Sequence, residues 1–561
     1  MADESALAVL ELNGSFTFHA HPEKITLSCG DYVLLTTADD RRFLGQVEEA
    51  RVEYVEVAST DRSGDIQVPF AEFGSKDQTL WIRETTTVVP RAYNKGGGRV
   101  LAPVRMDQSP VVAEPRSELA DCVGEARIER ASDELVECYW QRAYLRKQLA
   151  LPVGTLLGVS KPVPAKLIAS GLSRPTGLFG QSGSGKSFAL GIILEELHLR
   201  SKNEIRIVVL DPNGDFVGLR EDLRELEDIQ ADRGNRHQLD TDEYQQYSMT
   251  HQQKRDLVKV LSNDGSVKGA EGIVVRLGDI DVRELAAALR MDPTTDRAEY
   301  AALVNADQSL REHLGRVPEL GDLAAQLARQ GPGDSGALGL LIRMKTLGFF
   351  GLAIWAGGTL VTDALADSGV HTLVVDVSKL SRVERGIVSA VVFRRLWDLQ
   401  SERRAEGDLV PTVLVVDEAH NVFPARTLYP GQHVTVDWGS RIAGEGRKLG
   451  LYLLVASQLP SKIHEHVLTQ CGNLILMKML SQSDIDALKD SASFVSEMML
   501  DQSKFFGVGD ALIMGGIVPS PCLVHFEGRK TREGGSDMEV PWAEEPGLSF
   551  APTPDASPES P

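Results

Sequence analysis

The eight-residue stretch GQSGSGKS, residues 180–187, constrains the fold of this chain more than any other feature. It matches the pattern G-x-x-x-x-G-K-[ST] in full, and this pattern works where a buried strand turns into a helix. The apolar letters GLF come before it, and the helical run SFALGIILEELHLR begins at its last residue. The sequence therefore predicts a strand, a phosphate-binding loop and a helix within an α/β domain.

The residue types in this loop suit a nucleotide. Gly183 and Gly185 allow backbone N–H groups to turn toward phosphate oxygens, and the N-terminus of the following helix favours an anion. Lys186 is expected to reach the β and γ phosphates of ATP, and the Ser187 hydroxyl is expected to bind Mg²⁺. A Gly-rich turn that merely resembles the motif is the alternative. The predicted nucleotide-binding residues are Gly180, Gln181, Ser182, Gly183, Ser184, Gly185, Lys186, Ser187 and Phe188.

A second motif, PTVLVVDEAHNVFP, places two carboxylates after an apolar run. Asp417 and Glu418 fall where the strand is expected to end, and ligands of open α/β sheets gather at the carboxyl ends of strands. Asp417 is expected to support Mg²⁺ through a water, and Glu418 to orient and deprotonate the attacking water. A solvated strand end is the alternative. With the loop, this motif predicts an ATP hydrolase that uses ATP and Mg²⁺.

The stretch GEGRKLGLYLLVASQ, residues 444–458, begins as a charged turn and ends as a buried strand. Phosphoryl transfer spreads negative charge over the γ oxygens, and an inserted arginine stabilises that charge. Arg447 is a candidate because its Gly-flanked turn can project toward a partner. Gln458 is a candidate to hydrogen-bond the γ-phosphate or the attacking water. A solvated pair of Arg447 with Lys448, and a simple strand cap at Gln458, stay open as alternatives.

The pattern of strands and helices divides the chain. Alternating β-formers at 1–105 predict a small antiparallel barrel, and 106–165 is interpreted as a connector. From 166 to 530, apolar runs alternate with helical segments, which is typical of a parallel sheet covered on both faces, with a helical insertion at about 219–350. The acidic, Pro- and Ser-rich tail, 531–561, is expected to be disordered. The predicted strands of the sheet are PTGLFG, EIRIVVLD, GIVVRLGD, HTLVVDVS, PTVLVVDEA, LYLLVASQ and GNLILMKM.

Composition excludes some classes of protein. At 561 residues the chain is too long for one core, and no apolar run approaches the ~18 to 20 residues that cross a bilayer. The acidic N-terminus lacks a secretion pattern, which favours the cytoplasm and no membrane. The net charge of −21 argues against broad coating by nucleic acid but allows a narrow basic channel. Five scattered cysteines predict neither a disulfide framework nor a zinc site: Cys29, Cys122, Cys138, Cys471 and Cys522.

Four stretches together resemble a known family. They are RPTGLFGQSGSGKS, VVLDPNGDF, VLVVDEAHNVFP and AGEGRKLGLYLLVASQLPSKIHEHVLTQCGNLI. In this order they are similar to the HerA branch of the HerA-FtsK superfamily of hexameric ATPases. The resemblance implies a RecA/FtsK-like α/β P-loop domain behind an N-terminal barrel. It also implies a homohexamer that hydrolyses ATP between subunits and moves double-stranded DNA through a central pore. Arg447 would then act across the subunit boundary, and Gln458 would contact the γ-phosphate end of the nucleotide.

The resemblance implies roles for two further residues. Arg174 stands where the family has an arginine, usually in an Arg-His pair, but Pro175 takes the place of the histidine. Asp211, in LDPNGD, matches a family acidic residue near the active site, and opening an Asp-Pro-Asn-Gly turn is an equally good interpretation. His420 follows the family pattern but is expected to pack or hydrogen-bond. His464 and His466 are interpreted as surface residues.

Three functions fit the sequence. The first is a DNA translocase or helicase that works with a separate nuclease or sirtuin-like effector, in antiphage defence or DNA end processing. The second is a hexameric scaffold whose nucleotide turnover gates an effector without processive motion on DNA. A membrane-coupled DNA pump is weakened by the lack of an apolar span. Candidate pore residues Lys379, Arg382 and Arg385 are equally well explained as a solvated helix face.

Overall fold

The computed structural model describes most of the chain. The described ranges are 7–11, 13–20, 25–60, 86–106, 110–112, 124–144, 149–201, 204–232, 239–330, 333–427, 430–491 and 496–534. Cys122 and nearly all of the predicted disordered tail, including the two aromatic residues Trp542 and Phe550, lie outside these ranges.

The N-terminal strands form a closed antiparallel barrel. Its order is β2-β1-β7-β3-β4-β5, and β5 pairs back to β2, so no edge is left open over the paired residues. Alternate residues point into the barrel, which is why the sequence shows polar and apolar residues in turn. The strands are β1 (Leu7–Leu10), β2 (Ser15–Ala20), β3 (Tyr32–Thr37), β4 (Arg42–Thr60), β5 (Thr86–Met106), β6 (Pro110–Val112) and β7 (Gly124–Arg130).

Parts of the barrel differ from the sequence prediction. Strand β7 closes the barrel although it comes from beyond residue 105, within the predicted connector. The β-forming stretch KITLSCG, which lies within the predicted barrel at 1–105, forms no strand over 25–30. Its Leu27 backbone instead exchanges two hydrogen bonds of 3.1 Å with the carboxamide of Asn94. The Asn94 side chain here takes the place of a partner strand. The alternation of polar and apolar residues does not show such a contact.

The rest of the predicted connector also joins regular structure. Helix α1 (Asp133–Tyr144) is followed by strands β8 (Ala150–Leu156) and β9 (Pro164–Ile168). These two strands form one side of the large sheet, because β8 pairs with its strand β20. The Trp140 indole donates to the Tyr32 hydroxyl at 3.1 Å, which ties α1 to the barrel. The barrel and the large sheet are thus joined through packed elements.

An 11-stranded mixed sheet forms the centre of the molecule. Its order is β12-β15-β11-β16-β17-β10-β18-β19-β20-β8-β9, parallel from β12 to β18 and antiparallel beyond. The remaining strands and helices are β10 (Thr176–Phe179), α2 (Lys186–Arg200), β11 (Arg206–Asp211), α3 (Leu226–Gln230), α4 (Thr241–Lys254), β12 (Val258–Ser262), β13 (Ile273–Val274), α5 (Val282–Ala288), α6 (Arg297–His313), α7 (Leu320–Arg329), α8 (Ser335–Thr346), β14 (Thr359–Leu360), α9 (Val361–Ala366), β15 (Thr372–Asp376), α10 (Arg382–Glu406), β16 (Thr412–Val416), α11 (Ala419–Val422), α12 (Pro430–Glu445), β17 (Leu451–Ser457), α13 (Glu465–Leu468), β18 (Asn473–Met477), α14 (Gln482–Ser491), α15 (Glu497–Asp501), β19 (Asp510–Gly515) and β20 (Cys522–Phe526).

The α/β P-loop fold predicted from the sequence is confirmed. Every residue of β10, β11, β15, β16 and β18 is buried, as expected for parallel strands covered on both faces. One predicted strand was wrong: GIVVRLGD contributes only β13, which pairs with β14 in a separate two-stranded sheet. The edge position is filled instead by β12, a short strand inside the predicted helical insertion.

Two hydrophobic cores cover the faces of the sheet, and a third fills the barrel. Helices α5 to α8 extend the first core, so the helical part of the predicted insertion packs on the sheet. Among the described helices, none has the length and apolar character required to cross a bilayer. Among the described residues, four cysteines form no disulfide bond: Cys29, Cys138, Cys471 and Cys522.

Candidate active site

The loop of residues 180–185 joins β10 to α2, and its glycines are needed for its shape. A Cβ on Gly180 would lie 2.5 Å from the Ser184 hydroxyl. Gly183 and Gly185 have φ values of +74° and +93°, a region that favours glycine. The sequence folds into a tight turn here because other residues would clash or be strained.

The loop is held by its neighbours while its own amides remain available. Gly180 N–H donates to the Ser457 carbonyl, Gln181 N–H donates to that of Lys478, and the Ser184 carbonyl accepts from Gly509 N–H. In the described part of the chain, the N–H groups of five residues in the motif at 180–187 have no protein acceptor: Ser182, Gly183, Gly185, Lys186 and Ser187. Unpaired N–H groups at the start of a helix form an anion site.

Lys186 links the loop to the second motif. Its ammonium lies 2.5 Å from Asp417 Oδ1 and 3.2 Å from Glu418 Oε1, and it is 5% exposed. Burial alone would lower the pKa of Lys186, but the two carboxylates raise it above its usual value. The lysine therefore stays charged in a pocket from which water is largely excluded. A γ-phosphate at the free amides would compete with these carboxylates for the same ammonium.

Glu418 is held in a special position at the end of β16. It adopts φ +43°, which is rare for a residue with a side chain and is common at functional sites. Gln458 donates to its Oε1 at 2.9 Å, and His420 Nδ1 lies 3.2 Å from its Oε2. Burial would raise the pKa of Glu418, but the neighbouring imidazole of His420 and the charge of Lys186 lower it to about 2.

Asp417 has an unused oxygen that suits a cation. Its carboxyl is fully buried, and Oδ2 has no hydrogen-bond partner among the described residues. The nearby Ser187 hydroxyl donates to Asp215 Oδ2 at 2.8 Å. Hydroxyl and carboxylate oxygens are the ligands that Mg²⁺ prefers, and it usually keeps several waters and contacts substrate phosphates. These oxygens fit Mg²⁺ bound with ATP. No group of three or more His, Cys, Asp or Glu in the described part could hold a metal unaided.

Asp215 is a site residue that sequence reasoning missed, and it changes the interpretation of Asp211. The Asp211 carboxylate accepts four hydrogen bonds from the backbone of its own turn, at residues 213–216. It therefore shapes the turn, and Asp215 rather than Asp211 contacts Ser187. The sequence holds one clue: Asp215 lies four residues after Asp211, at the end of the predicted turn.

Two predicted site residues lie at the other edge of the sheet. We call the edge with the loop and Gln458 the carboxyl edge, and the opposite one the amino edge. Arg174 comes just before β10 and Arg447 just before β17, so both lie at the amino edge. Strand β17 has seven residues, which places Arg447 about 20 Å from Gln458 at ~3.3 Å per residue. Neither arginine can reach the nucleotide loop of its own chain.

The remaining predicted residues occupy less central places. Phe188 packs against the core around α2. His464 caps α13 and His466 is exposed, as predicted for surface residues. Among the pore candidates, Lys379 pairs with Asp264 at 3.4 Å, Arg382 is exposed, and Arg385 donates to the carbonyls of Leu380 and Ser378.

Comparison with known proteins agrees with this geometry. A family profile described as "Helicase HerA, central domain" matches residues 151–326, which include the loop and both aspartates of the 211–215 turn. The HerA helicase of Pyrococcus furiosus, a DNA double-strand break repair helicase, is 22% identical over 93% of this chain and 91% of its own length. The chain thus contains a HerA-type central domain, and it is similar to a HerA helicase along nearly its whole length.

Other HerA relatives match only part of this HerA-like chain. The DNA double-strand break repair helicases HerA of Saccharolobus solfataricus and Sulfurisphaera tokodaii are 32% and 30% identical over 172 residues. The match spans 30% of this chain and about a third, 34%, of each relative. Among solved structures, plasmid coupling protein TrwB with a GTP analogue is 15% identical, with a TM-score of 0.46, over 73% of this chain and 95% of TrwB.

Proposed function

We propose that this HerA-like chain is an ATP hydrolase whose turnover drives movement along double-stranded DNA. The observation that carries the proposal is the joint geometry at the carboxyl edge. There, Lys186 contacts the two carboxylates at 417–418, the adjacent Ser187 contacts Asp215, and the amides of the same loop have no protein acceptor among the described residues. The relatives that match the sequence are named as DNA repair helicases, which supports DNA as the substrate.

Each residue has a defined part in hydrolysis. The loop amides and Lys186 hold the β and γ phosphates and offset their negative charge. Ser187, Asp215 and Asp417 would hold Mg²⁺, which neutralises charge that develops during transfer. Glu418 orients the attacking water, and Gln458 fixes the Glu418 carboxylate through its 2.9 Å hydrogen bond. Once phosphate draws Lys186 away, Glu418 loses its close cation and becomes more basic.

We further propose a homohexameric ring with ATP bound between subunits. Arg447 supports this arrangement because it is exposed and lies at the edge opposite to its own loop. Its turn is fixed by Arg404, which donates to the Lys448 carbonyl, so the guanidinium projects from an anchored backbone. In a ring, this arginine would face the γ-phosphate bound by a neighbour. Arg174, at the same edge, would lie near the same junction.

The test of the core proposal is ATP hydrolysis with and without double-stranded DNA, measured together with particle mass. Wild-type protein should form hexamers and hydrolyse ATP faster when DNA is added. Glu418→Gln should bind ATP and lower the rate about 10² to 10⁴-fold, the usual contribution of a general base. Glu406→Gln, a change on the exposed end of α10, is the matched control and should behave as wild type. Unchanged turnover in Glu418→Gln would refute the assignment.

A scaffold that regulates an effector is the second candidate. The observation that favours it is the net charge of −21, which is unfavourable for extensive DNA contact. Here the ring would assemble a separate nuclease or sirtuin-like enzyme, in antiphage defence or DNA end processing, through the barrel or the acidic tail. If cells that carry Glu418→Gln keep full protection against phage, and the effector still assembles on the ring, the scaffold is favoured. If protection against phage is lost while the effector still assembles, translocation is favoured.

A further inference from the structure

The segment after β20, residues 527–534, has no regular secondary structure, yet three consecutive residues at its centre, 529–531, are buried. We call it the C-terminal strap. Arg529, Lys530 and Thr531 are 1%, 6% and 2% exposed. Two charged side chains that are nearly fully buried need compensating partners, because an unpaired buried charge is costly. The strap must therefore be matched to the surface on which it lies, and that surface is α2, the helix that begins at the nucleotide loop.

Two acidic residues of α2 anchor the strap. Glu195 accepts from the backbone N–H groups of Lys530 and Thr531 at 2.9 and 2.7 Å. Glu196 accepts from the Lys530 ammonium at 2.9 Å. Burial would raise the pKa of Glu196, but Lys530 and Arg200 lower it, so this buried pair is ionic. The adjacent glutamates on an otherwise apolar helix are explained by this contact.

Arg529 extends from the strap to the metal end of the site. Its Nη1 donates to the Ser187 carbonyl and its Nη2 to the Asp215 carbonyl, each at 3.2 Å. A Cβ on Gly191 would lie 2.5 Å from its Cζ, so a glycine on α2 makes room for the guanidinium. The planar fork of an arginine can bridge two carbonyls at a fixed spacing, whereas a lysine cannot.

The two residues that Arg529 bridges also meet through their side chains. The Ser187 hydroxyl donates to Asp215 Oδ2 at 2.8 Å. One side chain from outside the nucleotide loop therefore holds both backbones of a pair that contributes oxygens to the metal end. Arg529 itself is buried behind these residues and does not touch the nucleotide pocket.

We propose that Arg529 is a positioning residue that sets the spacing of Ser187 and Asp215 and thereby the affinity of the site for Mg²⁺. This inference rests on the proposed ATP hydrolase function. Residues that orient metal ligands from behind typically change metal affinity about 10 to 100-fold when mutated. The change should appear in Mg²⁺ dependence and not in metal-free nucleotide binding, because the loop amides and Lys186 are untouched.

The experiment is a Mg²⁺ titration of affinity for a fluorescent, non-hydrolysable ATP analogue, with the full-length protein and an EDTA reference. Arg529→Lys should raise the half-saturating Mg²⁺ concentration about tenfold and leave analogue affinity in EDTA unchanged. Arg532→Lys, an exposed position in the same strap, is the matched control and should match wild type. Thermal melting establishes that each variant is folded.

Two more variants make the test decisive. Gly191→Ala keeps Arg529 but pushes on its guanidinium, and it should reproduce the Mg²⁺ effect while favouring the helix. Lys530→Met removes a strap anchor without touching Ser187 or Asp215, and it should lower the melting temperature more than it changes Mg²⁺ dependence. A wild-type response to Mg²⁺ in Arg529→Lys, or an equal shift in Lys530→Met, would overturn the inference. Wild-type protein that binds no nucleotide would overturn the proposed function itself.

Discussion

The two ends of β17 differ in what surrounds them. At the carboxyl edge, Ser457 is fully buried and Gln458 donates to Glu418, within a network that includes Lys186. At the amino edge, the guanidinium of Arg447 is exposed and has no partner among the described residues. The polar side chains at one end of the strand thus have partners within the chain, whereas the other end presents a charged side chain to solvent.

The two edges therefore differ in whether one subunit supplies all the contacts that its charged groups need. Buried charges at the carboxyl edge require fixed partners, so that edge is organised before any ligand arrives. A charged group at the amino edge is stable in water and needs no partner for folding. In the proposed ring, Arg447 would act in hydrolysis only on the site of another subunit. Changes at the carboxyl edge should affect stability and catalysis together, whereas changes at the amino edge should affect catalysis alone.

We expect the largest change in ATP hydrolysis from removing Arg447, the exposed arginine of the amino edge. Arg447→Ala should lower ATP hydrolysis about 10³ to 10⁵-fold, the usual contribution of an inserted arginine, and leave ATP affinity and particle mass unchanged. The measurement is steady-state hydrolysis beside analytical ultracentrifugation. Lys448→Ala, at the adjacent exposed position, should hydrolyse ATP as wild type.

Mixed assemblies decide whether Arg447 acts on a neighbour. Arg447→Ala and Lys186→Ala subunits should each be inactive alone, but a mixed junction can combine an intact loop from one with an intact arginine from the other. Mixing should therefore restore part of the activity. Activity that stays at the level of the separate variants would show that Arg447 does not act across the subunit boundary.

A second prediction concerns the contribution of Asp211 to the stability of the turn at the carboxyl edge. Asp211→Ala removes the acceptor of four backbone hydrogen bonds, and it should lower the free energy of unfolding by about 3 kcal/mol. Denaturant unfolding measures this loss. Asp222→Ala, whose side chain is 85% exposed, should stay within about 0.5 kcal/mol of wild type. Equal stability of the two variants would show that the turn does not depend on Asp211.

Replacing Gln458 distinguishes a role in orienting Glu418 from a role in binding ATP, and the expected effect is smaller. Gln458→Ala removes one hydrogen bond to an ionised carboxylate, worth about 1.5 to 3 kcal/mol, so kcat should fall about tenfold to a hundredfold. The dissociation constant for a non-hydrolysable ATP analogue should not change. Leu459→Ala, at the next and exposed residue, is the control. A loss of analogue affinity without a loss of kcat would instead place Gln458 among the binding groups.

The sequence predicts the carboxyl edge well because its motifs are local. Strand, loop and helix follow one another at 176–200, and Asp417 and Glu418 come directly after an apolar strand. The fold class follows from the same regularity. Asp215 was missed because its contact with Ser187 depends on how a turn from another strand is placed. Local sequence patterns do not give the distance between the Ser187 and Asp215 side chains, which lie on different segments.

The limits of prediction are clearest where distant segments meet. Strand β7 closes the barrel from beyond residue 105, and β12 enters the sheet from within a mostly helical stretch. Arg529 lies in a stretch that reads as the end of the domain, yet it is 1% exposed. Its position is decided by Glu195 and Gly191, more than 300 residues earlier in the chain.

Arg174 offers a finer test of the amino edge. Its side chain packs over Gly472, where an added Cβ would lie 3.2 Å from Arg174 Cδ. It is exposed, and a surface charge of this kind is worth about 0 to 1 kcal/mol, so Arg174→Ala should lower hydrolysis no more than about fivefold. Arg174→Lys should restore most of the rate, because a charge suffices. A loss as large as that of Arg447→Ala would mean that both arginines contact the neighbour's phosphates.

The smallest expected effect concerns the charge on Glu418. Its pKa in the folded protein is lowered from 4.5 to about 2, so the carboxylate stabilises the fold above pH 4.5, and this contribution is lost as the pH falls from 4.5 toward 2. The difference in unfolding free energy between wild type and Glu418→Gln should therefore be constant from about pH 5.5 to 8 and change only in acid. Denaturant unfolding across this range measures it. A difference that varies near neutral pH would mean that His420 and Lys186 together do not keep Glu418 ionised, and that the carboxyl edge is less organised before ATP binds than its contacts indicate.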